Sequence, residues 1–149
     1  MNLKLIAGQE IRPGESKGID INIARLPSHT QIDTPIYVSR GMEDGPVLAL
    51  MAGMHGDEIN GMEIVRRILD AGLNHPKRGM VVCMPIVNIY GFLNYSREVP
   101  DGKDINRSFP GRKSGSLASR VAYHLMKKVI PFIDFGILIG ALRCIERLM

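Results

Sequence analysis

Residues 47–72 read VLALMAGMHGDEINGMEIVRRILDAG, and the change of period inside this stretch decides the fold. The first six residues, VLALMA, are apolar at every position, as a strand covered on both faces requires. Gly53 breaks the run. Apolar residues then return as Ile59, Met62, Val65, Ile68 and Leu69, at three- and four-residue spacing, with Arg66, Arg67 and Asp70 on the opposite side. This predicts a helix over 59–71, stopped by Gly72. A buried strand that turns through glycine into an amphipathic helix is a building unit of α/β sheets.

Downstream, MVVCMPIV (80–87) predicts a second buried strand. The stretch 88–115 carries Gly91, Pro100, Gly102, Pro110 and Gly111 and reads as a loop, long enough to be functional. Leu117, Val121, Leu125 and Val129 form the apolar stripe of a helix over 116–129; Pro131 closes it, and 132–139 predicts a third buried strand. Upstream, IDINIARL (19–26) alternates as a half-buried strand does, Pro27 ends it, and 35–39 predicts a neighbour. This order predicts an α/β fold: a mixed, mostly parallel sheet flanked by helices. Ligands bind beyond the carboxyl ends of such strands, here 53–58, 88–107 and the residues after Ile139.

Composition excludes several classes. With 149 residues, 45% hydrophobic and 23% charged, the chain has the balance of a globular domain rather than of a disordered one. No run reaches the roughly 18 apolar residues of a membrane span; the most apolar stretch, 130–142, is broken by Pro131 and Asp134. The N-terminus turns polar within ten residues and does not read as a secretory signal, so the expected compartment is the cytoplasm. Cys83 and Cys144 lack any metal or disulfide spacing and are expected to be reduced thiols. The net charge of +4 is spread along the chain, and 5% aromatics with no Trp leave little to stack bases on. The expected partner is a small anionic substrate, with no nucleic acid and no membrane; an oligomer is compatible with the sequence.

Two segments carry chemistry. At the first strand end, His55 and Glu58 stand three apart among Gly53, Gly56 and Gly61, where a turn into a helix can aim both at one point; imidazole plus carboxylate is a zinc-compatible pair. Taken alone, the pair equally describes a surface histidine and a helix-start glutamate held by the helix dipole. In NYSREVPDGKDINRSFPG (94–111), Arg97, Asp104, Asn106 and Arg107 are too polar for a core. Two arginines converging on a site select an anion, although a solvated loop carries arginines too.

Together, GMHGDEINGMEIV (53–65), NIYGF (88–92), Ser96-Arg97, PDGKDINRSFPG (100–111) and IDFGI (133–137) resemble the succinylglutamate desuccinylase/aspartoacylase family of zinc-dependent deacylases, related in fold to the zinc carboxypeptidases. The resemblance runs from Ile19 to Ile137. It implies that His55 and Glu58 are two zinc ligands. It also implies that Asn106 and Arg107 hold the substrate's carboxylate, and that Arg97 binds substrate or polarises the scissile carbonyl. The implied reaction is hydrolysis of the amide bond of an N-acyl amino acid or similar anion, with Zn2+ lowering the pKa of its bound water and a glutamate as general base.

The resemblance stops at Ile137. Leu138, Ile139 and Gly140 stand where the family carries Asp, Leu and a third zinc-ligating His, and the catalytic glutamate has no counterpart. His29, His75 and His124 read as loop or helix-surface histidines rather than substitutes. The expectation is an N-terminal part of a deacylase catalytic domain over 1–137 and a divergent tail over 138–149, as a truncated or frameshifted gene produces, inactive as it stands. Alternatively, Leu142, Ile145 and Met149 have the spacing of a short terminal amphipathic helix.

Overall fold

The computed structural model describes residues 4–25 and 28–140 and the backbone of 143–146. A small antiparallel ladder, β1 (Lys4–Ile6) with β2 (Gln9–Ile11), turns through Ala7 and Gly8, both at positive φ. The main sheet contains β3 (Ser16–Arg25), β4 (Gln31–Arg40), β5 (Glu43–Ala52), β6 (Arg78–Met84), β7 (Phe135–Ile139) and β8 (Arg143–Glu146), in spatial order β3-β4-β6-β5-β7-β8. Parallel pairing is confined to the centre, where β5 lies between β6 and β7; β3–β4, β4–β6 and β7–β8 are antiparallel. The helices are α1 (Ile59–Asp70), α2 (Ile89–Asn94) and α3 (Leu117–Lys128).

The continuous apolar character of 47–52 follows from its central place. Val47, Ala49 and Met51 join Met80, Val82 and Met84 of β6 and Val121 and Leu125 of α3 in the larger core. Leu50 and Ala52 face the other way, with Cys83, Val81 and Ile139, under Val65 and Leu69 of α1. Ile6 and Ile11 close the larger core from the side, so the N-terminal ladder is part of the packing. Among the described residues, no helix is long and apolar enough to cross a membrane.

Three readings need correction in detail. The stretch 88–115 is not all loop. It holds α2, whose Asn88 cap accepts from Gly91 N–H at 2.8 Å, and a 3-10 turn, Ile105–Arg107, whose Asp104 cap accepts from Asn106 N–H at 2.9 Å. Helices of one or two turns leave no periodic signature; only their caps mark them. The strand expected over 80–87 ends at Met84, before Pro85, which has no N–H for the ladder. The helical spacing at the C-terminus does not make a helix either: Arg143–Glu146 pairs antiparallel with β7, from Phe135↔Glu146 to Leu138↔Arg143. The free edge of β7 offers backbone partners that outweigh so short a periodic pattern. Leu142 and Met149 lie outside the described residues.

Candidate functional site

The carboxyl ends of β5 and β6 are tied together by backbone hydrogen bonds from Val87 N–H to Ala52 and from Asn88 N–H to Gly53, at 2.9 and 2.8 Å. Gly53, at φ +60°, makes the turn out of β5, and a Cβ there would stand 2.7 Å from the end of Met62. Gly56 lies flat on α2: a Cβ on it would fall 1.8 Å from the Gly91 carbonyl carbon, while its N–H donates to Ser96 at 2.9 Å. Two glycine-dependent contacts thus bring 53–58 against 88–97.

His55 is buried, at 3% exposure, and held on both ring nitrogens. Nδ1 lies 2.8 Å from Glu58 Oε1, and Nε2 lies 3.1 Å from Asp104 Oδ1. A carboxylate only accepts, so a neutral ring that donates Nε2–H to Asp104 turns the Nδ1 lone pair towards Glu58. Two acceptor atoms at that spacing require a shared cation, either a proton or a metal ion. Among the described residues, the other Glu58 oxygen, Oε2, is buried with no hydrogen-bond partner.

Asp104 connects this pair to the arginines. Its Oδ2 accepts from Arg97 Nε at 3.2 Å and lies 3.1 Å from Arg97 Nη2, with Arg107 Nε at 3.9 Å. Burial pushes the Asp104 carboxyl up, but the Asn106 N–H, the hydrogen bond from His55 and the Arg97 guanidinium together hold it below its ordinary value. Arg97 is half-exposed and Arg107 is 84% exposed, so both keep donors free for a ligand in solvent. The Asn106 side chain is exposed beside them.

The structure therefore brings His55, Glu58 and Arg97 into one cluster and sets Asn106 and Arg107 at its rim. Asp104, given no role from sequence, is the residue that joins them. Its signal was the Asp-x-Asn spacing of a side-chain cap ahead of Arg107. His124 contacts Tyr123 edge-on instead, and burial with Lys128, Arg120 and Lys113 pushes its pKa down. His75 meets Ser16 Oγ at 3.2 Å at an exposed position.

Gly140 ends β7 beside Glu58: a Cβ there would lie 3.6 Å from Glu58 Oε2. Gly140, which the resemblance matches to a further zinc ligand, thus lies beside Glu58 and bears no side chain. Among the described residues, no group of three or more His, Cys, Asp or Glu side chains could hold a metal ion. The donor set fits half of a zinc centre and not the three-ligand whole.

A family model described as the succinylglutamate desuccinylase/aspartoacylase catalytic domain matches residues 44–137. The N-alpha-acetyl-L-2,4-diaminobutyric acid deacetylase of Halomonas elongata is 32% identical over 128 residues, covering 80% of this chain and 37% of the relative. Crystal structures of an aspartoacylase family protein from Mesorhizobium loti (TM-score 0.76, 26% identity, 92% of this chain and 42% of that one) and a succinylglutamate desuccinylase/aspartoacylase from Rhodobacter sphaeroides (0.73, 30%, 85% and 40%) share the fold. The chain spans about two fifths of the length of these proteins. A matched domain that includes the His55 turn, the Asp104 loop and the central strands places this chain in the succinylglutamate desuccinylase/aspartoacylase family.

Proposed function

We propose that this chain carries the substrate-anion side and part of the zinc side of a cytoplasmic amide hydrolase for N-acyl amino acids or similar small anions. Arg97, Arg107 and Asn106 engage the substrate's carboxylate, and His55 and Glu58 hold Zn2+, which when bound polarises the acyl carbonyl and acidifies its water. Asp104 orients the His55 ring and steadies Arg97. The carrying observation is the continuous contact from Glu58 through His55 and Asp104 to Arg97 at the carboxyl ends of the parallel central strands. The Halomonas relative, named as a deacetylase of an N-acetylated amino acid, supports the substrate class.

A second reading, that the chain binds the anion and zinc weakly but turns nothing over, is favoured by the bare Gly140 position beside Glu58. Incubating the full chain with Zn2+ and a panel of N-acetyl amino acids distinguishes the two. The bare position predicts saturable ligand shifts in NMR spectra, weakened by Arg107→Ala, with no free amine released above a protein-free blank. Amine release that is lost in His55→Ala would establish the hydrolase in this chain itself. Absence of both binding and release would remove the proposal.

A further inference from the structure

We propose that the solvent face of α3, with the loop before it laid against the helix, binds a short inorganic phosphate chain of the triphosphate class through Lys113, Arg120, His124 and Lys128. None of these residues belongs to the cluster around His55.

The fold concentrates charge that composition gives only as a total. Residues 105–128 hold six Lys and Arg and no Asp or Glu, so they carry +6 in a chain of +4 and the remainder carries −2. Arg120, His124, Lys127 and Lys128 share an arc of about 100° on α3, turned away from the buried Ala118, Ala122 and Leu125. The preceding loop adds to this face. A Cβ on Gly111 would fall 2.2 Å from the Ser119 carbonyl oxygen, and Arg112 N–H donates to that oxygen at 3.2 Å and to Ser119 Oγ at 2.9 Å. Burial, Lys128, Arg120 and Lys113 all push the His124 imidazole below its ordinary range, so three cations from two segments converge on one ring.

Among the described residues, none of Lys113, Arg120, Lys127 and Lys128 forms an ion pair. Lys128 Nζ donates to the Asn22 carbonyl at 3.3 Å, and Asp101, the carboxylate at the start of α3, accepts from Leu117 N–H at 2.7 Å. Lys127 and Lys128 suit the carbonyl end of the helix, but Arg120, its fourth residue, gains nothing from the dipole. A carboxylate neutralises one cation, whereas linked phosphates bring several negative charges into the same span and accept from Arg and Lys together. Tyr123, the aromatic ring beside the patch, is occupied edge-on against His124 at 5.8 Å. The phosphate chain itself, rather than a nucleoside, is therefore the group recognised.

The test follows the His124 ring signals of the metal-free full chain by NMR as inorganic triphosphate is added, with sulfate at matched ionic strength as reference. Triphosphate is expected to give saturable shifts and to raise the His124 pKa. Binding is expected to weaken about tenfold or more when Lys113→Gln and Arg120→Gln are combined; both side chains are exposed, so the circular dichroism spectrum should not change. Triphosphate acting no more strongly than sulfate overturns the proposal. A response lost in Arg107→Ala but kept in the double variant also overturns it, by assigning the anion to the cluster at Asp104. ATP or a single-stranded oligonucleotide binding tenfold more tightly than triphosphate would make a nucleotide or a nucleic acid the occupant, and would overturn the phosphate-chain reading.

Discussion

His55 is oriented by a carboxylate 49 positions away in sequence, and that contact sets which ring nitrogen faces Glu58. Replacing Asp104 with Asn keeps the shape and removes the charge that Arg97 and His55 share. On the proposed reading of His55 as a zinc donor, zinc affinity is expected to fall about 10–100-fold, with the circular dichroism spectrum unchanged. Cys83 offers a second check. Burial pushes its thiol up to about 11, so at pH 8 it is protonated and inaccessible in the folded chain. Maleimide labelling mapped by mass spectrometry should leave the Cys83 peptide unmodified until denaturant is added; prompt labelling without denaturant would contradict the packing of β6 under α1.

At the scale of elements, the α2 segment exists to meet the loop after β5. Gly56→Ala places a methyl group 1.8 Å from the Gly91 carbonyl carbon, so urea denaturation should show a loss of about 3 kcal/mol, the upper part of the overpacking range. The exposed side of α1 is held differently. Glu63 accepts from Arg66 and Arg67, and Arg66 also pairs with Asp70. The Arg66 and Arg67 hydrogen bonds hold the Glu63 carboxyl down at about 2, from 4.5. Because the folded value is depressed, its contribution is present above pH 4.5 and is lost as pH falls towards 2. Thermal melts of wild type should therefore decline over that window more steeply than those of Glu63→Gln, by a small margin since these ion pairs lie on the solvent side of the helix.

For the whole molecule, the sheet is covered unequally. One face carries α3 and the N-terminal ladder; on the other, α1 covers Ala52, Cys83 and Ile139. Further along β7, Phe135 is 54% and Ile137 42% exposed, beside Leu48 and Leu50 in the register of β5. Parallel strands ordinarily have both faces buried, and an apolar row of this kind drives association. Sedimentation velocity should show wild-type chain associating as concentration rises, and Phe135→Lys should sediment more slowly at the same concentration. A monomer of unchanged coefficient in both would contradict the exposure of this face.

The central strand, both long helices and the His55–Glu58 pair were legible in residues 47–72 and 116–129, because burial period and a three-residue spacing are local properties of the chain. The polar, arginine-bearing loop was legible as composition, Arg97 with Asn106 and Arg107. Only the tertiary structure decided that Asp104 bridges Arg97 and His55, since that contact depends on Gly56 lying against Gly91 and not on any spacing. The same holds for Arg143–Glu146, where an available strand edge selects pairing over a weak helical period. The departure at Gly140 was visible in the chain as a residue other than the histidine the resemblance expects, but its place against Glu58 and Gly61 needed β7 and α1 side by side.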